Sequence, residues 1–444
     1  MSRSVRRLGP LILLFLACGA RTAGAVLAVA DGPRPNLVLI LMDDMGYGDL
    51  SSYGAPDIKT PGIDRLAAEG VRFTDFYANA PTCTPTRAAL ISGRYQQRVG
   101  LEEPLSTTRD KKRGLRASPH SLPALLKTRG YTTGLVGKWH LGFSPERGPN
   151  AHGFDEFWGF LSGAVDFYSH SWRDGTPDLF HNRKPVRHEG YLTDAFTRQA
   201  LQFIEAHTHE PFFLELAYNA PHWPFQPPDL PKHERKRWPW ESDGTRDDYR
   251  RMLERADAGI AEILAALDRL GLAGTTLVVF ASDNGGEWLS RNAPLFHRKY
   301  TVWEGGIRVP ALMRWPGTLP AGRTTAQVGI TMDLTATFLA AAGVERPTSY
   351  RPEGIDLVPL LTGDKPDVER TLFWRATPPF VQKAVRKGKW KLLRDQNHDL
   401  MFDLSHDQGE RDDLAMREPA VLKELKAVLA QWEKDVDAER AARR

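Results

Sequence analysis

The sequence contains only two cysteines among its 444 residues, Cys18 and Cys83. Two cysteines cannot build the dense disulfide framework of a small secreted domain or a zinc site of four thiolates. If Cys18 leaves with an N-terminal export signal, Cys83 remains without a disulfide partner. Cys83 stands four residues before Arg87 and directly before a helix-like run over 88–93. A free thiol beside an arginine and a helix start is typical of chemical reactivity rather than of packing.

Long hydrophobic runs are also missing. The apolar stretch 8–18 follows Arg3, Arg6 and Arg7 but is too short to cross a bilayer. Small residues at 23–25 and 28–30 offer two cleavage sites. We therefore predict a signal peptide over 1–30, export to the periplasm or the medium, and no integral membrane segment in the mature chain. Retention as a lipoprotein through Cys18 is the less favoured alternative.

Neither sign of charge dominates. Residues 1–30 carry four arginines and no acidic residue, so their removal reduces the 59 basic residues to 55, which equals the number of acidic ones. A neutral mature chain does not have the strong basic charge of a nucleic-acid-binding protein. We therefore expect no nucleic-acid partner.

Strand-like and helix-like segments alternate along most of the chain. Buried strands are predicted at 36–42, 71–77, 132–136, 212–217 and 277–282, and helices at 194–206, 248–270 and 333–342. This alternation predicts an α/β fold with a large mixed, mainly parallel sheet flanked by helices. Beyond Gly343, short strand patterns joined by turns and a final amphipathic helix predict a smaller domain with an antiparallel sheet. We therefore divide the mature chain into domains at 31–343 and 344–444.

Oxygen-bearing side chains follow two of the predicted strands. Asp43 and Asp44 come directly after the first strand, and Asp283 and Asn284 follow the last strand of the large domain. The carboxyl ends of parallel strands meet at one edge of a sheet, where ligands bind. Carboxylate and amide oxygens are hard donors that suit Ca²⁺ or Mg²⁺ better than zinc. The sequence therefore predicts a divalent-cation site at this edge.

Basic and imidazole side chains gather near other strand ends. Lys138 and His140 follow one strand, His222 follows another, and Lys299 precedes a glycine-containing segment. Together with Arg87 they would form a cationic ring suited to a tetrahedral anion. Each histidine alone is more often structural, but several such sites at strand ends favour a common catalytic centre.

These segments, taken in order, resemble the formylglycine-dependent sulfatase family, an arylsulfatase-like group within the alkaline-phosphatase-like superfamily. Cys83-Thr84-Pro85-Thr86-Arg87 is similar to the family's Cys-x-Pro-x-Arg core, although Thr86 stands where Ser or Ala is more usual. Lys138-Trp139-His140-Leu141-Gly142 resembles a second family signature, and the segment 304–310 a later one. The likeness runs from 36 to about 316, and 387–392 resembles the family's small domain.

The resemblance implies the cofactors. Cys83 would be oxidised by a separate maturation enzyme to formylglycine, whose hydrate is the nucleophile. One Ca²⁺ would be held by Asp43, Asp44, Asp283 and Asn284 together with the modified residue at position 83. A hydrate can expel sulfate by cleavage of its own C–O bond, so that no water has to attack the sulfur centre in the second half of the cycle.

The resemblance also implies roles for the basic groups. Arg87 and Lys138 would stabilise the hydrate and the sulfuryl oxygens. Lys299 and His222 would contact sulfate and protonate the departing oxygen, and His140 would act as a base on the remaining hydroxyl. The predicted activity is therefore hydrolysis of a sulfuric ester.

The substrate is less sharply predicted than the reaction. The segment 163–170 resembles part of arylsulfatases that act on N-acetylgalactosamine 4-sulfate, and Trp172, Trp223, Trp238 and Trp240 could stack on sugars. The loops 172–189 and 221–240 are predicted to wall the pocket. We expect a sulfated carbohydrate, a glycosaminoglycan or an aryl sulfate as substrate.

Three alternatives stay open. A phosphate or phosphonate monoester hydrolase of the same superfamily would bind a similar anion, although such enzymes generally use two metals. A catalytically silent protein could bind sulfated glycans through the basic clusters 111–113 and 233–238, although such charged runs are usually solvated loops. An unmodified thiolate nucleophile is the least favoured, because no histidine-based activation pattern is evident near Cys83.

Overall fold

The computed structural model describes Met1 and residues 34–232, 244–377 and 380–442. The predicted signal peptide, the basic cluster 233–238, Trp238 and Trp240 therefore lie outside the described residues, apart from Met1. Among the described residues, none of the helices combines the length and the apolar character that a bilayer crossing needs.

The strands, numbered in chain order, are β1 Asn36–Met42, β2 Val71–Phe73, β3 Phe76–Tyr77, β4 Thr132–Lys138, β5 Glu156–Phe160, β6 Phe180–His181, β7 Lys184–Pro185, β8 Phe212–Ala217, β9 Thr276–Ser282, β10 Ala311–Arg314, β11 Arg323–Thr325, β12 Gly329–Ile330, β13 Thr371–Ala376, β14 Gln382–Lys387, β15 Trp390–Asp395 and β16 His398–Asp403. The α-helices are α1 Pro61–Ala68, α2 Cys83–Ser92, α3 Gln96–Val99, α4 Leu122–Lys127, α5 Leu192–Ala206, α6 Arg246–Arg269, α7 Glu304–Ile307, α8 Thr331–Ala341, α9 Val358–Thr362 and α10 Pro419–Ala442.

A ten-stranded mixed sheet organises the large domain, in the order β11-β2-β10-β9-β1-β8-β4-β5-β6-β7. Its central strands β9, β1, β8, β4 and β5 are mutually parallel, and β10 pairs antiparallel with both β9 and β2. The central strands β1 and β9 are almost wholly apolar on both faces, as expected for parallel strands that helices cover on both sides. The predicted α/β architecture is confirmed.

Two hydrophobic cores lie on opposite faces of this sheet. Leu37, Leu39 and Leu41 of β1 pack in one core with residues of α2, α4 and α8. Val38 and Ile40 of the same strand pack in the other core with residues of α1, α5 and α6. The alternation of side chains along β1 thus anchors helices on both faces and fixes the position of the strand end that follows.

The C-terminal region forms the predicted antiparallel sheet, in the order β13-β14-β15-β16, followed by the long helix α10. Leu425, Leu429 and Trp432 of α10 share a core with residues of this sheet and with Tyr77 and Tyr95 of the large domain. The division of the chain at 343 and 344 stays a prediction.

One predicted strand is wrong in extent. The segment 71–77 is not continuous, because β2 pairs within the large sheet while β3 pairs with β12 in a separate two-stranded sheet. Asp75 lies at the break, and its carboxylate binds Arg386 at 2.7 Å and Arg308 at 2.9 Å. These ion pairs favour a turn toward the arginines over continued strand pairing.

Candidate active site

The four predicted oxygen ligands come together at one edge of the large sheet. Met42 of β1 is paired in register with Ser282 of β9, so that the residues following each strand stand side by side. Asp43, Asp44, Asp283 and Asn284 are all completely or almost completely buried. The backbone N–H of Asp283 donates to the carbonyl of Met42 at 3.0 Å, which ties the two strand ends together.

Two oxygens of this cluster have no donor. Asp43 Oδ1 and Asn284 Oδ1 are buried and accept no hydrogen bond from any described residue. Asp43, Asp283 and Cys83 can each direct one ligand atom into a group in which all three atoms lie within 4.8 Å of one another, and Asp43, Asp44 and His222 form a second such group. Buried acceptors without donors are costly unless a cation satisfies them. The residues therefore fit a hard divalent cation.

Three permanent cations face the three carboxylates. Lys138 Nζ lies 2.6 Å from Asp43 Oδ2, and Lys299 Nζ lies 2.6 Å from Asp44 Oδ2. Arg87 contacts Asp283 Oδ2 through Nε at 3.0 Å and through Nη2 at 2.9 Å. These cations are as buried as their partners. The predicted cationic groups are thus interleaved with the predicted metal ligands.

The two adjacent carboxyls differ in acidity. Burial raises the pKa of Asp43 to about 8, although the charge of Lys138 opposes this change. Burial acts on Asp44 in the same direction, but Lys299 and His222 together hold the pKa of Asp44 below its ordinary value. A cation bound beside Asp43 would favour its ionised form.

Cys83 is the first residue of α2 and is buried. Its Sγ lies 3.1 Å from Nδ1 of His140, and Nε2 of His140 lies 2.9 Å from the carbonyl oxygen of Leu105. Since only an N–H can donate to that carbonyl, Nε2 carries the proton and the lone pair of Nδ1 faces residue 83.

A histidine thus lies directly beside Cys83, although the local sequence shows no histidine-based activation pattern. His140 is 57 positions away in sequence, and the fold brings it to Cys83 because β4 ends beside the start of α2. Burial raises the pKa of the Cys83 thiol. Burial, followed by Lys138, lowers the pKa of His140 well below its ordinary value. Both shifts favour the neutral pair over a thiolate–imidazolium pair, which argues against an unmodified thiolate nucleophile.

His222 lies on the same cluster, shortly after β8. Its Nδ1 donates to the carbonyl of Trp223 at 2.6 Å, and its Nε2 lies 3.5 Å from Asp44 Oδ2. Burial lowers the pKa of His222 well below its ordinary value. The Arg173 guanidinium lies 5.8 Å from the centre of the Trp223 ring, so the loop that begins at 172 reaches the surroundings of His222.

Sequence reasoning missed three polar residues of this region. Glu287 Oε2 lies 4.0 Å from Lys299 Nζ, and the Tyr300 ring lies beneath the same ammonium group at 5.3 Å. Glu287 could have been found, since it follows Asp283 and Asn284 after two glycines. Glu215 is buried in β8, and it could have been found as the one charged residue in the apolar run 212–217.

Glu304, the first residue of the segment 304–310 that resembles a later family signature, contacts residues outside the catalytic cluster. Glu304 accepts hydrogen bonds from Lys391 Nζ at 2.8 Å and from the Tyr77 hydroxyl at 2.6 Å. Despite the opposing effect of burial, Lys391 and Arg308 lower the pKa of Glu304 to about 2. This buried network joins β3 of the two-stranded sheet and α7 to β15.

The fold and the cluster together define a buried centre suited to a tetrahedral anion, with a free thiol, hard oxygen donors and three cations. A family model described as Sulfatase matches residues 35–344, and one described as N-sulphoglucosamine sulphohydrolase, C-terminal, matches 294–435. The chain is 37% identical over 390 residues to N-acetylgalactosamine-6-sulfatase of Sus scrofa, covering 82% of this chain and 72% of that protein. It is 33% identical over 480 residues to arylsulfatase A of Bos taurus, with 93% and 91% covered.

A solved structure gives the same result. The crystal structure of Ps i-CgsB in complex with k-i-k-neocarrahexaose superposes with a TM-score of 0.83 at 33% identity, covering 90% of this chain and 92% of that one. The chain therefore belongs to the sulfatase family and has the alkaline-phosphatase-like fold. It is a sulfuric ester hydrolase, as are its named relatives.

Proposed function

We propose that this sulfatase hydrolyses a sulfate ester on a sulfated carbohydrate, using a formylglycine made from Cys83 and one Ca²⁺. The observation that carries the proposal is the meeting of Cys83 Sγ with the carboxylates of Asp43 and Asp283 inside one group of ligand atoms spanning at most 4.8 Å. A side chain placed there can act as nucleophile and metal ligand at once.

Asp43, Asp44, Asp283 and Asn284, with the modified residue at 83, are the proposed metal ligands. The donor set of carboxylate and amide oxygens supports a hard cation such as Ca²⁺. When bound, the cation supplies Lewis-acid stabilisation of sulfate oxygens and acidifies the attacking hydroxyl. Formylglycine supplies a hydrated aldehyde, whose second hydroxyl allows sulfate to leave by C–O cleavage.

The protein's own cations bind and orient the sulfuryl group. Arg87, Lys138 and Lys299 each hold a carboxylate of the cluster, so their positions are fixed before substrate arrives. Cations held in this way stabilise charge without reorganising during the reaction.

Two histidines handle protons in the proposed mechanism. The Nε2–H of His140 donates a hydrogen bond to the carbonyl oxygen of Leu105, so the lone pair of Nδ1 is free to accept a proton from the side chain at position 83. Nε2 of His222 carries no proton in the neutral ring, since Nδ1 donates to Trp223. An anionic substrate raises the pKa of His222 by its negative charge, so that Nε2, beside Lys299, can protonate the departing oxygen. General acid or base help of this kind contributes about 10²- to 10⁴-fold each.

Sulfated glycans are the proposed substrates. The named relatives include N-acetylgalactosamine-6-sulfatase, and the solved neighbour was crystallised with a neocarrahexaose. Trp223 and the Arg173 loop beside His222 support walls that contact a sugar. Export through residues 1–30 and maturation by a formylglycine-generating enzyme complete the proposal.

The first test compares protein produced with and without a formylglycine-generating enzyme. After co-expression, we expect the peptide that contains position 83 to have the mass of the aldehyde form. Without co-expression, it should keep the mass of the thiol form. Hydrolysis of an aryl sulfate should rise in proportion to the converted fraction. Full activity with an intact thiol would refute the formylglycine, and conversion without any hydrolysis would favour a silent glycan-binding protein.

The second test fixes the substrate. Matched aryl sulfate and aryl phosphate esters, followed by a panel of defined sulfated mono- and oligosaccharides, would be compared by kcat/KM. We expect the sulfate ester and at least one saccharide to be preferred. A strong preference for phosphate would overturn the proposal.

N-terminal sequencing of exported protein would test cleavage near residue 25 or 30.

A further inference from the structure

A second cavity lies away from the catalytic cluster. It has a volume of about 800 Å³ and is lined by Ile91 and Ser92 at the end of α2, by residues of the segment 112–118, and by Ser349, Tyr350 and Arg351. Cys83 is at the opposite end of α2, which is about 15 Å long for its ten residues. The cavity is therefore distinct from the reactive position, and its volume falls within the range of about 300–1,000 Å³ typical of ligand sites. We call it the basic cleft.

The lining of the basic cleft carries charge of only one sign. Seven arginines and one lysine contribute to it, and none of its lining residues is Asp or Glu. Four of these cations form ion pairs with acids outside the lining: Arg94, Arg98, Arg113 and Arg440. These pairs hold the arginines in place and offset part of their charge.

The other four cations are not neutralised. Lys112, Arg116, Arg147 and Arg351 form no ion pair within the described part of the chain. Lys112, Arg116 and Arg351 are exposed, while Arg147 is half-buried and donates to the carbonyl of Gly114 at 3.4 Å. A cleft that carries four cations without ion-pair partners concentrates anions by its field.

The cleft also contains buried polar groups without partners. His152 is 1% exposed, and its ring faces the backbone of Leu115 without forming a well-aligned hydrogen bond. Nε of Arg94 is buried and unpartnered in the same lining. Burial lowers the pKa of His152 to about 4, so the ring is neutral and can both donate and accept. Such a group suits a hydroxyl-rich ligand.

The composition of the lining selects among polyanions. Arginine forks bind sulfate or phosphate through paired N–H donors, and Ser118 and Ser349 add hydroxyls for sugar contacts. Single-stranded nucleic acids are usually held by exposed aromatic rings, but Tyr350 is only 6% exposed and donates to the carbonyl of Ser92. We propose that the basic cleft is a binding site for a sulfated oligosaccharide segment, separate from the ester that is hydrolysed. This inference goes beyond the proposed function and does not depend on catalysis.

The test is calorimetric titration of the full chain, produced without a maturation enzyme so that no turnover occurs. The probe is a heparin octasaccharide, compared with the same octasaccharide after complete desulfation and with an oligothymidylate of eight nucleotides. Lys112, Arg116 and Arg351 are replaced together by serine. We expect binding of the sulfated octasaccharide to weaken about tenfold, because three exposed cations that contact the anionic groups are lost.

A matched control removes the same charge elsewhere. Lys365, Lys423 and Lys434 are exposed and form no ion pair with any residue in the described ranges. Their triple replacement by serine should change the Kd less than about twofold. Thermal unfolding of both variants shows that each remains folded.

Each outcome decides the proposal. A selective loss of affinity in the cleft variant, with weak binding of the desulfated chain and of oligothymidylate, supports it. Equal losses in both triple variants, or an unchanged Kd in the cleft variant, would overturn the site. Tight binding of the desulfated chain or of oligothymidylate would overturn the assignment to sulfated sugars.

Discussion

Replacing Glu215 by glutamine gives the sharpest test of the electrostatics beneath the active site. Glu215 lies in β8, in register between Leu39 of β1 and Leu135 of β4, and is 3% exposed. Its Oε2 is buried without a hydrogen-bond partner among the described residues. Burial raises the pKa of Glu215 from 4.5 to about 7, although the charge of Arg87 opposes this change.

The sign and size of the effect follow from proton linkage. Between pH 4.5 and about 7 the folded state holds a proton on Glu215 that the unfolded state has released. Stability from this group is therefore fully present below pH 4.5 and is lost as the pH rises through about 7. The difference between the two pKa values corresponds to a loss of about 3 kcal/mol. Glutamine at this position cannot ionise, so the Glu215→Gln variant should not show this loss.

Urea unfolding followed by tryptophan fluorescence would measure the free energy of unfolding at intervals from pH 4 to pH 8. We expect the stability of the wild type relative to Glu215→Gln to fall by about 3 kcal/mol across this range. Glu345→Gln, at an exposed position, is the control and should follow the wild type at every pH. A difference between wild type and Glu215→Gln that is constant within about 1 kcal/mol would refute the reasoning.

Three further predictions concern the active site and its frame. Cys83→Ser should lower turnover of an aryl sulfate by at least about 10²-fold, with the sulfuryl group retained on the protein in mass spectra, because a serine cannot expel sulfate by C–O cleavage; near-normal steady-state turnover would contradict the formylglycine mechanism. Asp283→Asn should weaken Ca²⁺ binding at least about tenfold by calorimetry, since a charged ligand is lost, and hydrolysis that persists in this variant under exhaustive chelation would exclude the metal site. Gly137→Ala should destabilise the protein by about 2 kcal/mol or more, because φ is +118° and a Cβ would lie 1.9 Å from the carbonyl oxygen of Ala217. Gly274→Ala, where a Cβ meets nothing within 4 Å, is the control in thermal unfolding. Equal melting temperatures of the two variants would show that the sheet around Gly137 is less rigid than its geometry indicates.

Much of the fold could be predicted because the central strands are short apolar runs with abrupt ends. The predicted strand 212–217 matches β8, and the residues after β1 and β9 were expected at one edge because parallel strands end together. The break at Asp75 could not be predicted, since it depends on Arg308 and Arg386, which are more than 200 positions away. Long-range ion pairs leave no local pattern.

The candidate site divides in the same way. The residue types and their order indicated the proposed ligands and cations, but the pairing of Lys138 with Asp43 and of Lys299 with Asp44 depends on the three-dimensional fold. The resemblance implied that His140 acts on the side chain at position 83, but the direct contact of its Nδ1 with Cys83 Sγ has no local sequence pattern. Hydrogen bonds to Leu105 and Trp223 fix which ring nitrogen of each histidine carries a proton, and backbone carbonyls have no sequence signature.

Charge balance connects the proposed metal to the reaction. In the ionised cluster, the carboxylates of Asp43, Asp44 and Asp283 are matched by three permanent cations, Arg87, Lys138 and Lys299. Both histidines are neutral because burial lowers their pKa values. The protein part of the site is then close to neutral, and a bound dication adds an excess of two positive charges. A sulfate monoester brings one negative charge, and negative charge builds up on the departing oxygen in the transition state. Because the net charge of site and substrate does not change as the S–O bond breaks, the benefit lies in where the cations stand: those placed at the departing oxygen stabilise the transition state more than the bound substrate.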